Sequence, residues 1–166
     1  MIFKIFFKKI RNKRPTWDEY FFEVMNAVSE RATCDRGKSG CVIVRDNQIL
    51  CTGYVGAPPH FPDCYEAGHK LIKVKNDDGT ESEHCVRTIH AEENAILQAA
   101  RMGIALEGAT LYCKMTPCER CARMIMRVGI KKVKCLKKYH RGQWTEKAFK
   151  KAKIKLKILN KIIEKY

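Results

Sequence analysis

Three observations predict a single α/β sandwich. From Thr88 onward, apolar residues at helical spacing alternate with apolar residues at strand spacing. Before Thr88, two β-branched runs flank Asp46-Asn47 and read as a hairpin. The chain has 166 residues, 45% of them hydrophobic, which is enough for one domain with a real core and too apolar for a disordered chain. No internal repeat is present.

Met1 to Arg14 forms a short segment with Phe3, Phe6, Phe7 and Ile10 at helical spacing and Lys4, Lys8 and Arg11 off that stripe. It is too short to span a bilayer, and contact with a membrane surface is not expected of it. Pro15-Thr16-Trp17-Asp18 reads as a helix start, with the helix running to about Thr33 and burying Trp17, Tyr20, Phe21, Val24, Met25 and Val28. A loop at Cys34 to Lys38 leads into the hairpin Cys41–Arg45 and Ile49–Tyr54. Gly53 to Cys64 is rich in Gly and Pro and predicts irregular backbone. Lys70 to Glu83 is polar, with a turn at Asp78-Gly79, and reads as a surface insertion. The spacing predicts a second helix from His90 to Gly103, with Ala91, Ala95, Ile96 and Ala99 forming a face for close packing. A strand follows over Ala109–Lys114. Thr116-Pro117-Cys118-Glu119 has the form of a capping box with Pro at the first helical position, opening a helix that ends at Gly129. Lys132–Leu136 is a strand and Gln143–Lys151 a helix. Lys153 to Leu159 alternates Ile154, Leu156 and Ile158 with lysines, the pattern of a protected edge strand.

The net charge of +15 is unevenly distributed. Residues 15–130 hold 13 Lys/Arg against 16 Asp/Glu, whereas the first 14 and last 36 residues together hold 20 against 2. A nucleic-acid enzyme would more simply place its basic residues beside its reactive site, so no nucleic-acid partner is expected. Nine cysteines without a secretory signal, two of them in Cys-x-x-Cys, point to a reducing, cytoplasmic setting rather than a disulfide framework. Cys41, Cys51, Cys113 and Cys135 fall in strand patterns and read as core.

The chemistry concentrates between Thr88 and Cys121. His90, Cys118 and Cys121 offer one imidazole and two thiolates, which suits zinc and leaves a fourth coordination position open. Cys118 and Cys121 are one helical turn apart, so both sulfurs point to one side, at a helix N-terminus that favours thiolate. Glu92 follows the metal His by two residues. Two thiolates cancel the charge of Zn²⁺, so a bound water is less acidified than the roughly pKa 7 of an all-imidazole site. A carboxylate that takes the water proton makes up the difference. His-x-Glu followed by Pro-Cys-x-x-Cys resembles the zinc-dependent nucleobase deaminases. The expected reaction is attack of zinc hydroxide on cytosine C4, with Glu92 as the proton shuttle.

The resemblance narrows further along Arg14 to Arg141. Arg14-Pro15-Thr16-Trp17-Asp18-Glu19-Tyr20-Phe21, Gly40-Cys41-Val42-Ile43-Val44, Thr52-Gly53-Tyr54-Val55-Gly56-Ala57-Pro58, Arg87-Thr88-Ile89-His90-Ala91-Glu92-Glu93-Asn94-Ala95-Ile96 and Thr116-Pro117-Cys118-Glu119-Arg120-Cys121 are similar to the deoxycytidylate (dCMP) deaminases, including a bacterial competence-operon branch. The resemblance implies a three-layer α/β/α sandwich, cytidine deaminase-like, with a five-stranded mixed sheet. It implies hydrolytic conversion of dCMP to dUMP and ammonia, one catalytic Zn²⁺, a homo-oligomer, and dCTP or dTTP as effectors. On this reading residues 1–14 are a basic apolar extension, 15–160 the deaminase domain and 161–166 a basic tail.

The substrate loop is expected at Tyr54, Val55, Gly56 and Ala57. Many family members have Asn where this chain has Val55, and valine cannot make the sugar contact associated with that Asn. Arg36, Lys38, His140 and Arg141 are candidates for the phosphate. Cys34 and Cys64 match positions that hold a second, structural zinc in some relatives, with Cys85 as a third ligand and His84 or His69 available as the fourth. Two other functions stay open: a deaminase of RNA or single-stranded DNA, and a non-catalytic zinc-binding protein of the competence type.

Overall fold

The computed structural model describes residues 13–75, 79, 81–160 and 162–164. Most of the expected N-terminal extension and half of the basic tail therefore lie outside the described residues, as does Asp78 of the expected turn. Helix α1 (Trp17–Ser29) starts at a capping box in which Thr16 Oγ1 accepts from Glu19 N and the Glu19 carboxylate accepts from Thr16 N. Strands β1 (Gly40–Arg45) and β2 (Gln48–Tyr54) form the expected hairpin. Asp46 and Asn47 both have positive φ (52° and 60°), as a two-residue turn matched to strand twist requires. A short helix α2 (Cys64–Ala67) and the strand pair β3 (Leu71–Lys75) and β4 (Glu81–Cys85) come next. Then follow α3 (Ala91–Arg101), β5 (Thr110–Met115), α4 (Glu119–Arg127), β6 (Lys132–Tyr139), α5 (Gln143–Lys151), β7 (Lys155–Ile158) and β8 (Ile163–Glu164).

The main sheet has the order β2-β1-β5-β6-β7, antiparallel up to β5 and parallel from β5 to β7, with β8 added beside β6. This is the expected five-stranded mixed sheet with helices on both faces. Cys41 and Ile43 of β1 point to the side of α3, α4 and α5, where they join Leu111, Val133, Cys135 and Phe149. Val42 and Val44 point to the other side, where Phe21, Phe22 and Met25 of α1 cover them. Alternation along one strand thus feeds two cores. Cys41, Cys51, Cys113 and Cys135 are all buried, as expected.

Several expectations need correction. Helix α1 ends at Ser29, four residues early, and its buried stripe is Phe21, Phe22, Met25 and Ser29. Trp17 and Tyr20 stay exposed, because α1 crosses only the β1–β5 half of the sheet and its first turn overhangs the groove beside β7. The Thr116 capping box does not form. Cys118 is the N-cap of α4, its first helical residue is Glu119, and Pro117 lies outside the helix. Lys70 to Glu83 is largely a regular hairpin, β3–β4, whose weak apolar alternation reflects its exposed position. Among the described residues, no helix is long and apolar enough to cross a membrane.

Candidate metal centre and cleft

His90 and Cys118 occupy equivalent places. Each is the N-cap of its helix, with extended backbone (ψ 155° and 167°) that turns its side chain away from the helix and toward the other. Helix α3 reaches that position because Gly53 of β2 lets its backbone come close. A Cβ at Gly53 would stand 2.3 Å from Ala91 O and 2.4 Å from Ala95 N, closer than any side chain tolerates. Ala91, Ala95 and Ala99 complete this small-residue face. Helix α4 is set by β5, which delivers Thr116-Pro117 to the cap, and by Thr145 of α5, whose Oγ1 donates to Pro117 O at 2.8 Å in a fully buried bond.

The outcome is a compact triad. His90 Nδ1 lies 3.5 Å from both Cys118 Sγ and Cys121 Sγ, and all three donor atoms fall within 4.8 Å of one another. Cys118 is drawn down to about 4, first by the hydrogen bond from Cys121 and against burial, with His90 adding to the effect. Cys121 moves up, because Cys118 already carries the shared charge and because it is buried. His90 is raised to about 9 by its bond to Cys118, against desolvation. One thiolate facing two retained protons, on Cys121 and His90, is a donor set that a divalent cation completes by displacing both protons. The residues present therefore fit zinc, with a fourth position open toward the cleft.

Glu92 lies in the first turn of α3, buried, and lines the same cleft as His90 and Cys118. Burial pushes its carboxyl above the usual range, with the His90 charge opposing. The cleft opens to solvent and has an accessible volume of about 120 Å³. Of the four substrate-loop candidates only Val55 lines it. The Val55 amide donates to Ser39 O and its carbonyl accepts from Thr33 N, which turns its side chain inward. Tyr54 contributes its carbonyl to Asn94 Nδ2, Gly56 pairs with Ile89, and Ala57 N donates to Thr33 Oγ1. These three hold the loop in place but do not reach the cleft.

Arg36 lines the cleft, while Lys38 turns to Glu30. Arg141 meets His84 Nε2 at 3.4 Å. Thr88, Thr116 and Tyr139 also line the cleft and were not singled out in the sequence. Thr116 Oγ1 is buried and has no hydrogen-bond partner among the described residues.

A second cluster gathers Cys34, Cys64, Cys85 and His69, whose donor atoms fall within 4.8 Å of one another. Cys64 and Cys85 sulfurs are 3.6 Å apart, and Cys34 Sγ is 3.7 Å from His69 Nδ1. His69 Nε2 meets Asp35 at 3.0 Å, the kind of carboxylate partner that fixes a metal-binding imidazole. His84 is not part of it. His84 and Cys85 are neighbours on β4 and point to opposite faces: Cys85 toward the cluster, His84 into the cleft. Burial, and then the charge of Arg141, lower His84 from its ordinary value, which keeps Nε2 available to Arg141 and Ser82.

The profile of the cytidine and deoxycytidylate deaminase zinc-binding region matches residues 15–137, most of the chain. The chain belongs to this deaminase family. Deoxycytidylate deaminase of Saccharomyces cerevisiae is 36% identical to it over 141 residues, covering 85% of this chain. The chain spans 44% of the length of that yeast protein. The deoxycytidylate deaminase of Mycobacterium phage D29 is 37% identical over 123 residues, which is 72% of this chain and 94% of the phage protein. Among solved structures, cyanophage S-TIM5 dCMP deaminase in complex with dCMP and dUMP aligns with a TM-score of 0.70 at 25% identity, covering 88% of this chain and 98% of that one. The deaminase-family match thus spans both helix N-termini that carry the triad.

Proposed function

We propose that this chain converts dCMP to dUMP and ammonia by hydrolysis. The observation that carries the reading is Glu92, a buried carboxylate beside the His90–Cys118–Cys121 triad in a solvent-open cleft. The relatives named dCMP deaminase, one of them matched over 94% of its own length, support the choice of base and sugar. Zinc held by the triad would supply a water acidified enough to act as nucleophile. Glu92 would carry one proton of that water to the ring nitrogen and the second, from the hydroxyl added at the ring carbon, to the amino group that leaves as ammonia. Its low exposure excludes bulk water as a competing acceptor. Val55 gives the sugar an apolar wall, and Arg36 and Arg141 offer cations for the 5′-phosphate. The test is initial-rate ammonia release from dCMP, CMP, deoxycytidine and a cytosine-containing single-stranded oligonucleotide. The expected result is kcat/KM for dCMP at least tenfold above the rest, and equal or better turnover of the nucleoside or oligonucleotide overturns the reading.

The second cluster is proposed as a closed structural zinc site, three sulfurs and the His69 nitrogen. Metal analysis is expected to give two zinc ions per chain and one in the Cys64→Ser variant. A single zinc in the unaltered protein would exclude it.

A further inference from the structure

The two faces of the β6–β7 half of the sheet are dressed differently. On one, Val133, Cys135, Ile154 and Leu156 pack under α4 and α5. On the other, two cross-strand rows run out from under α1. One row reads Val44, Thr110, Lys132, Lys155, and the other Val42, Tyr112, Lys134, Lys157. Apolar residues sit where α1 covers the sheet, and four lysines where it does not. Lys132 stands directly beside Lys155, and Lys134 beside Lys157.

Edge protection explains only half of this. Lysines on β7 blunt an edge strand, but β6 is an interior strand and has no edge to blunt. Like charges placed side by side on neighbouring strands cost stability. One carboxylate relieves part of the cost: Asp18 accepts from Lys134 and lies 3.4 Å from Lys157. Lys132 and Lys155 meet no acidic partner among the described residues, and both are exposed. Two other acids stand on α1 nearby: Glu19 closes the cap of the helix, and Glu23 lines the groove one turn further on.

We propose that the α1-facing surface of β6 and β7 binds the phosphate backbone of a single-stranded nucleic acid. Strand geometry sets the four lysines on a grid of about 4.8 by 6.6 Å, a linear array of cations rather than a point site. The surface is recessed. Helix α1 walls one side with Asp18, Glu19 and Glu23. Phe22, Leu136, Lys157 and Leu159 complete the groove between helix and edge strand, and Lys132 and Lys155 stand on the open sheet beyond it. Lys134 shows only 22% of its side chain. A flexible strand can follow such a groove, whereas a flat bilayer meets its rim. The first twelve residues carry Lys4, Lys8, Lys9 and Arg11 and no acid, so they repel this floor rather than complement it. The surface lies across the sheet from α3 and α4, which carry the triad. This departs from the expectation, drawn from the charge distribution, that the chain has no nucleic-acid partner.

The test is fluorescence anisotropy of a labelled single-stranded oligonucleotide with the full chain, across a salt series. The double substitution Lys132→Gln/Lys155→Gln removes two phosphate contacts. Each contact adds about 0.7 to the salt slope, so affinity should fall by roughly 25-fold at 0.1 M salt and the slope by about 1.4. A charge-matched control, Lys73→Gln/Lys75→Gln on exposed β3, should bind within about twofold of the unaltered protein. The melting temperature of the first double variant should stay level or rise, because a repulsion has been removed, and this separates lost binding from lost fold. Equal weakening by the control would show that bulk charge alone drives binding and would overturn the site. So would no measurable binding by the unaltered chain, or binding to phosphatidylserine vesicles that the oligonucleotide does not displace.

Discussion

On the proposed mechanism, Glu92 is the residue on which turnover rests. Replacing it with Gln keeps the shape and removes the proton acceptor. The expected outcome for Glu92→Gln is a fall in kcat of about 10²–10⁴, the usual contribution of a positioned acid–base group, with zinc content unchanged by metal analysis. Loss of zinc along with activity would instead make Glu92 a structural support of the triad. The triad itself was legible in the sequence, because i, i+3 spacing at a helix start fixes which way two sulfurs point, and a Pro before the first Cys marks the start. The fourth residue of the second cluster was not legible. Choosing His69 over His84 depends on knowing that residues 84 and 85 lie on a strand and alternate. The polar composition of Lys70 to Glu83 hides that strand. Thr116 was misread for a related reason. Its sequence fits a cap, but β5 ends at Met115, Thr116-Pro117 form the link, and the cap of α4 falls on Cys118.

At the level of elements, the sandwich was legible because apolar period decides helix or strand, and nine-residue α5 falls where its pattern placed it. What the pattern could not give is how near the elements approach. That distance is a tertiary quantity, and it decides where His90 stands. Gly53 makes the point: its missing Cβ is what lets α3 lie on β2. Gly53→Ala must push Ala91 and Ala95 away, and with them the cap residue His90. Overpacking of this kind costs about 1–3 kcal/mol. The expected result is a lower midpoint in urea, together with weaker zinc retention in a chelator competition. The same change at Gly68, where a Cβ would meet nothing within 4 Å, is strained only by its positive φ of 69° and should leave zinc retention unaltered. Equal zinc loss in both variants would show that α3 docking does not set the triad.

Over the whole molecule, one side chain joins the N-terminal helix to the C-terminal half of the sheet. Asp18 accepts hydrogen bonds from Tyr112 Oη at 2.8 Å and from Lys134, and it pairs with Lys157. Burial pushes its carboxyl up, but the bonds from Lys134 and Tyr112 outweigh burial and hold it below its ordinary value. A depressed carboxylate contributes stability that is fully present above its unfolded pKa of about 3.9 and is lost as pH falls through the folded value. Asp18→Asn should therefore lower stability by about 1.5–3 kcal/mol near neutral pH, the range for hydrogen bonds to a charged group. In thermal melts the gap from the unaltered protein should close as pH falls below about 4. A gap of constant size across pH would assign the effect to lost packing instead. Asp18 is also the only described acid paired with Lys134 and Lys157, so the same variant leaves the basic face less neutralised. It should bind the single-stranded oligonucleotide more tightly even though it is less stable. A variant that loses stability and binding together would mean that α1 holds the groove open, and that Asp18 matters to it only through the fold.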